Sequence, residues 1–252
     1  MVRYQVTLSY DGTDFAGYQR QAKKRTVQGE VENVLIKLGW TAISTLAAGR
    51  TDTGVHASGQ VIAFDLEWQH SAQQLVSALN ANLPDDISVK DACVVESTFH
   101  PRYSARSREY CYRLLQDTTR NPLEERYAWR LQQKVEISVL AKCAAAIVGE
   151  HDFAAYGTPP RPGSSTIRYI TRSEWQMDGN RLIYLIRGNA FLYHMVRRLV
   201  FLQVEAATGK IEWSSWLQNF EAGVPEHPGI APARGLELAH VSYDNGSGKP
   251  NK

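Results

Sequence analysis

Residues 167–188 read IRYITRSEWQMDGNRLIYLIRG, and this stretch decides the fold class. Two runs rich in β-branched and aromatic residues, 167–177 and 181–188, flank Asp178-Gly179-Asn180. Glycine beside Asn or Asp supplies the backbone freedom of a tight turn, so the runs predict an antiparallel hairpin. A doubly wound parallel sheet needs a crossover helix after each strand, and here there is none. Outward from the hairpin, residues 190–208 predict a long helix stopped by Gly209. A helix at 213–221 and a strand at 236–243 follow. Upstream, Glu136–Gly149 predicts a helix with Leu140, Ala144 and Ile147 inward, and TPPRPGSST at 158–166 is built of turn residues.

The N-terminal half has the same mixture. Val2, Tyr4, Val6, Leu8 and Tyr10 alternate as in a half-buried strand. A polar loop, 11–25, precedes a helix with Thr26 as N-cap, an apolar face of Val27, Val31, Val34, Leu35 and Leu38, and Gly39 as stop. A short strand at 44–48 is interrupted by GRTDTGVHASG and resumes at 60–66. Ser71 and Gln74 form a capping box for a helix through about Asn82, and a strand at 87–95 follows the turn Pro84-Asp85-Asp86. The expectation is an α+β protein with an N-terminal half at 1–105, a C-terminal half at 106–245 and a disordered tail at 246–252. No Gly/Ser linker separates the halves, so tight packing and a shared sheet are expected.

Composition narrows the function. A chain of 252 residues, 43% hydrophobic and 21% charged, can bury a core without disulfide or metal staples. No apolar run approaches a membrane span, and the alternating N-terminus predicts neither signal peptide nor anchor. Cys93, Cys111 and Cys143 are odd in number and lack a C-x-x-C pair, against a disulfide framework or structural zinc and in favour of a reducing cytoplasm. Net charge is only +2, but arginines cluster: Arg102, Arg106, Arg108 and Arg113; Arg161, Arg168 and Arg172; Arg197 and Arg198. Arginine suits phosphate contacts. The dinucleotide, Walker, zincin and nucleophile-elbow motifs are absent. Asp11 and Asp14, in a glycine loop, read as turn formers before metal ligands.

Three segments carry chemistry. Gly49-Arg50-Thr51-Asp52-Thr53-Gly54-Val55-His56 places a cation, a carboxylate and an imidazole in one glycine-bracketed loop. An ionised carboxylate beside a cation suits nucleophilic attack or stabilisation of positive charge on a sugar. The same letters also fit a simple turn with a solvated arginine. In Arg108-Glu109-Tyr110-Cys111-Tyr112, the two tyrosines share a strand face and fit either a core or a base-stacking surface. In Phe191-Leu192-Tyr193-His194-Met195-Val196-Arg197-Arg198, helical spacing sets His194 three residues from Arg197 and four from Arg198. Arg197 in apolar surroundings calls for an anion, either Asp52 or a phosphate.

With these residues in view, the chain resembles the TruA family of tRNA pseudouridine synthases from Tyr10 to about Tyr243. The resemblance runs through Tyr10-Asp11-Gly12-Thr13, Phe15-Ala16-Gly17-Tyr18-Gln19, Arg25-Thr26-Val27-Gln28-Gly29-Glu30 and GRTDTGVHASGQV at 49–61. It continues through Asn80 to Pro84, Phe99-His100-Pro101-Arg102, REYCY at 108–112, His151-Asp152-Phe153, FLYHMVR at 191–197, Ala231-Pro232-Ala233 and Gly235-Leu236. The resemblance implies that Asp52 is the catalytic aspartate, attacking ribose C1′ or otherwise driving glycosidic cleavage. It implies that Tyr110 stacks on the uracil and aids proton removal, and that Arg50 and Arg197 are cleft arginines, Arg197 pairing with the aspartate. Leu236 is implied as an apolar wall, with His194 beside the substrate. The implied reaction isomerises uridines 38, 39 and 40 in the anticodon arm of tRNA, with no metal, nucleotide or redox cofactor. The implied partners are the tRNA and a second copy of the chain in a homodimer, with no membrane and no DNA. The implied architecture is two RRM-like, ferredoxin-like halves sharing a mainly antiparallel mixed sheet, with the active cleft between them.

Lys23, Lys24, Arg25, Arg102, Arg106, Arg108 and Arg198 are the expected RNA-binding cations. Three positions depart from the family pattern: Thr53 for the commoner Ala, Tyr18 for Trp, and Glu109 beside Tyr110. Two alternatives stay open at this level. One is an RNA-binding module without catalysis. The other is a glycoside hydrolase using Asp52, for which the sequence offers no clear second carboxylate.

Overall fold

The computed structural model describes residues 1–224 and 227–244. In chain order the elements are β1 (Val2–Tyr10), α1 (Val27–Lys37), β2 (Leu46–Ala47), β3 (His56–Leu66), α2 (Ala72–Asn80), β4 (Ile87–Val95), β5 (Ala105–Gln116), α3 (Pro122–Glu125) and β6 (Trp129–Leu131). They continue with α4 (Ile137–Ile147), β7 (Gly149–Asp152), β8 (Ile167–Asp178), β9 (Arg181–Gly188), α5 (Met195–Ala207), α6 (Trp213–Ala222) and β10 (Leu236–Tyr243). The described residues form two compact units, Met1–Ser107 with Glu237–Asp244, and Arg108–Leu236. Each is α+β, as expected.

In the first unit the strand order is β4–β1–β3–β10, with β2 beside β3. The path β1-α1-β2-β3-α2-β4 is a split βαβ arrangement. Thr26 caps α1 by accepting the Gly29 amide at 3.3 Å. Ser71 and Gln74 close the expected capping box, each side chain accepting the other's backbone N–H. β1 pairs antiparallel with both β3 and β4. Its inward residues, Tyr4, Val6, Leu8 and Tyr10, are all buried.

Two expectations are corrected here. The interrupted strand resumes at His56, not at residue 60. The reason lies in Gly59, where an ideal Cβ would stand 2.2 Å from the Ala239 carbonyl oxygen. That glycine admits a neighbouring strand rather than ending one. The neighbour is β10, which pairs parallel to β3 with Glu237 opposite His56 and Leu238 opposite Ala57. The first unit therefore extends to Ser107 and recovers its last strand from the far end of the chain, which sequence had assigned to the second half. The tail at 246–252 lies outside the described residues.

In the second unit the strand order is β5–β9–β8–β7, antiparallel throughout, and β6 runs parallel to β5. The hairpin turns at Gly179-Asn180, with Asp178 opposite Arg181. Helix α4 packs on β8 and on α5, burying Leu140, Ala144 and Ile147. Helix α5 begins at Met195, not at residue 190. Residues 190–194 are held instead by a bridge in which Thr158 and Tyr193 exchange backbone hydrogen bonds of 3.1 and 3.0 Å.

Candidate active-site residues

In the first unit, Asp52 is half-buried in the loop between β2 and β3. That loop is fixed through its backbone. The Tyr18 amide donates to the Thr51 carbonyl at 3.0 Å, and the Val55 amide donates to the Asp52 carbonyl at 3.1 Å. The buried Thr51 hydroxyl bonds the Tyr10 hydroxyl at 2.8 Å. Residues 11–18 lie against this loop so closely that side chains are excluded. An ideal Cβ on Gly12 would meet the Val55 carbonyl oxygen at 2.0 Å. One on Gly17, at φ +91°, would meet the Thr51 carbonyl oxygen at 2.8 Å. These glycines thus place the backbone on either side of Asp52.

His56 follows at the start of β3. Its Nδ1 accepts the Gly12 amide at 3.0 Å, and Asp11 Oδ1 lies 3.1 Å from the same nitrogen. A neutral ring that accepts the amide has no hydrogen there to offer Asp11. Asp11 Oδ1 also accepts the Thr13 amide at 3.0 Å and the Thr13 hydroxyl at 2.6 Å, which is the turn-forming role. Arg50 is exposed.

In the second unit, β5 separates the two tyrosines. Tyr112 is fully buried and its hydroxyl donates to the Pro232 carbonyl at 2.8 Å. Burial pushes its pKa far above the ordinary tyrosine value, so it is core. Tyr110 is half-buried, and its ring meets Phe191 edge-on at 5.0 Å. Glu109 is drawn to Arg187 Nη2 at 2.7 Å and Arg172 Nη1 at 3.5 Å. Arg197, on the first turn of α5, donates through Nε to the Ala231 carbonyl at 2.7 Å, while the Ala231 amide returns a bond of 3.1 Å to the Arg197 carbonyl. Leu236 is buried.

His194 does not share a helix face with Arg197 and Arg198. It is the N-cap of α5 in the left-handed region, at φ +67°, where its carbonyl accepts the Arg198 amide at 3.0 Å. Its ring stacks on Tyr193 with centroids 3.7 Å apart. A histidine held there is strained, and such strain concentrates at functional positions.

The chain matches a model of the tRNA pseudouridine synthase family over residues 7–104 and 143–244. Several relatives named tRNA pseudouridine synthase A match along nearly the whole length. That of Shouchella clausii is 41% identical over 246 residues, covering 96% of this chain and 94% of its own. That of Geobacillus sp. is 40% identical over 245 residues, covering 96% and 99%. That of Exiguobacterium sp. is 37% identical over 245 residues, covering 97% and 99%. This chain belongs to the tRNA pseudouridine synthase family. A crystal structure of a Cbf5–Nop10–Gar1 complex aligns with 80% of this chain and 44% of that one, at 13% identity and a TM-score of 0.37, a likeness too distant to carry anything further.

For a tRNA pseudouridine synthase, the departures and the basic residues acquire a clear reading. Tyr18 is buried in the core, where Trp is commoner. Thr53 is exposed beside Asp52. Lys23, Lys24 and Arg102 are exposed. Arg25 is engaged with Asp86 at 2.6 and 2.9 Å, and Arg106 with Asp244. Arg198 is half-buried and donates to the Ala155 carbonyl at 3.2 Å. Arg108 does not fit its expected role as a surface cation: it is 8% exposed and donates to the Asn189 carbonyl at 2.8 Å. Sequence reasoning missed the part played by Ala231-Pro232. These two residues tie Arg197 and Tyr112 through main-chain groups, which no side-chain pattern announces.

Proposed function

We propose that this chain converts uridine to pseudouridine at positions 38, 39 and 40 in the anticodon arm of tRNA. The proposed catalytic residues are Asp52, Arg50, Arg197 and Tyr110, and the proposed substrate-binding residues are Tyr110, Leu236 and His194. Asp52 attacks ribose C1′, or stabilises the sugar as the N1–C1′ bond breaks. The detached uracil stacks on Tyr110 and rotates. A C5–C1′ bond forms, displacing the Asp52 carboxylate where it had bonded to C1′; C5 loses its hydrogen as a proton, and N1 gains one. Mass is conserved and no electrons leave the base. Lys23, Lys24 and Arg102 contact phosphates, so affinity falls steeply with salt. The chain works in the cytoplasm as a homodimer sharing one tRNA. A monomer mass by light scattering at micromolar concentration would overturn the dimer.

The observation that carries this reading is the clamped loop. Asp52 lies between Thr51 and Val55, whose carbonyls close backbone contacts hold in place. A backbone held this closely preorganises the position from which Asp52 acts. The test is tritium release from tRNA labelled at uridine C5. The intact chain is expected to release tritium, and Asp52→Ala to bind tRNA and release none. Binding without release by the intact chain would leave an RNA-binding module. Free uracil among the products would indicate a hydrolase.

A further inference from the structure

Arg168 stands at the second position of β8, opposite His151 of β7. Strand alternation leaves Ile167 and Tyr169 exposed and turns Arg168 inward, where it is 9% exposed. Its Nη1 donates to the carbonyls of Ser165 at 2.8 Å and Ile167 at 2.6 Å. Among the described residues, Nε and Nη2 donate to nothing and no carboxylate pairs with the guanidinium. Nε is fully enclosed, whereas Nη2 reaches the surface. The carboxylate on the neighbouring strand, Asp152, accepts the Ala154 amide at 2.9 Å and bonds Thr166, and is not a partner.

Arg3 shows what this chain does with a comparable group. There Nε and Nη2 hold the two oxygens of Asp65, each at 2.8 Å. Arg168 leaves that same edge without a counterion. Burial alone holds its pKa below the ordinary arginine value, with no opposing charge acting on it. An enclosed cation of this kind is costly to keep unless an anion arrives from outside. The adjoining segment, 161–166, carries Arg161, Ser164, Ser165 and Thr166, and so adds a second cation and three hydroxyls.

We propose that Arg168 is an RNA phosphate-binding residue, its Nη2 donating to a nonbridging oxygen of one backbone phosphate of the bound tRNA. This inference rests on the RNA-substrate reading above. It assigns Arg168 to anchoring rather than to chemistry.

The test is the affinity of Arg168→Gln for unmodified tRNA, followed across about 50 to 200 mM salt, where phosphate contacts are most salt-sensitive. The glutamine amide keeps a donor for a loop carbonyl and removes the charge. Affinity at low salt is expected to fall about tenfold, and the slope of log affinity against log salt to become shallower by about one. Turnover at saturating tRNA stays within about twofold, as for a contact equal in ground and transition states. Unchanged affinity and slope in a folded variant would overturn the proposal. Should R168Q not fold, amide hydrogen exchange on the intact chain decides: tRNA is expected to protect residues 158–168, and no protection there overturns it. Tritium release by the intact chain is measured alongside. Release with tRNA binding indifferent to R168Q removes only this inference. No release, with binding sensitive to R168Q, removes the isomerase reading and keeps the phosphate contact.

Discussion

The Asp52 loop and the start of α5 are held in place by different means. Around Asp52 the constraint is steric: two glycines bring one stretch of backbone against another, leaving no room for a Cβ. Around Arg197 it is polar: Ala231 and Pro232 brace the helix and Tyr112 through directed hydrogen bonds, and His194 enters the helix through a strained backbone. A steric clamp fails abruptly, because atoms cannot overlap. A hydrogen-bonded brace fails by degrees, because each bond contributes only about 1 kcal/mol net.

The strongest way to break this comparison is Gly12→Ala. The new methyl would stand 2.0 Å from the Val55 carbonyl oxygen, so the loop has to move. Destabilisation of about 3 kcal/mol is expected in denaturant titrations. Tritium release should fall about 100-fold or more, since a displacement near 1 Å suffices for that loss. A Gly12→Ala variant with normal activity would show that the clamp is not what positions Asp52. Next in size is Tyr112→Phe, which strips the donor from the Pro232 carbonyl. A loss of about 1–2 kcal/mol is expected, lowering the melting temperature by about 2–6 °C in a domain of this size. A change in melting as large as that of Gly12→Ala would erase the distinction between the two regions.

His194 sharpens the polar side. Glycine tolerates φ +67° where alanine does not, so His194→Gly is expected to be about 1 kcal/mol more stable than His194→Ala in thermal melts. Equal melting of the two would mean the backbone relaxes without a left-handed cap. The smallest effect lies outside both regions. The Arg3 guanidinium holds the Asp65 carboxyl below the usual carboxylate range. A depressed carboxylate contributes stability that is complete at neutral pH and is lost as pH falls through its folded value. Asp65→Asn is therefore expected to cost under about 1 kcal/mol at pH 7, the pair being partly exposed, and almost nothing at pH 2. A constant difference across that range would assign the effect to packing.

Sequence legibility follows the same division between local and distant causes. The hairpin at 167–188, the Thr26 and Ser71 caps and the inward face of β1 are local patterns, and the structure follows them. The start of β3 was misread because Gly59 looks like punctuation, whereas its reason is Ala239, far along the chain. The start of α5 was misread because residues 190–194 have helical spacing, while the Thr158 bridge holds Tyr193 in extended pairing. Arg108 resembled its neighbours in a basic cluster, and only strand geometry turns it inward to Asn189. Short elements such as α3, β6 and β7 left no periodic signal. In the candidate site, Asp52 and Tyr110 stood out by residue type, while Gly12, Gly17 and Ala231 entered only as letters of longer motifs with no role assigned, because backbone contact leaves no chemical signature.

The last strand of the first unit has a consequence for synthesis. Residues 237–244 are translated only after the whole of 108–236, yet they complete a sheet begun by residues 2–10. Until then the outer edge of β3 near His56 stays open, and the whole of 108–236 must be made before it can close. Contacts so distant in sequence form late and slowly. The nascent chain thus carries an incomplete N-terminal unit until the residues from Glu237 onward are made. A message truncated at codon 237 would yield every residue of the second unit and a first unit that lacks its closing strand.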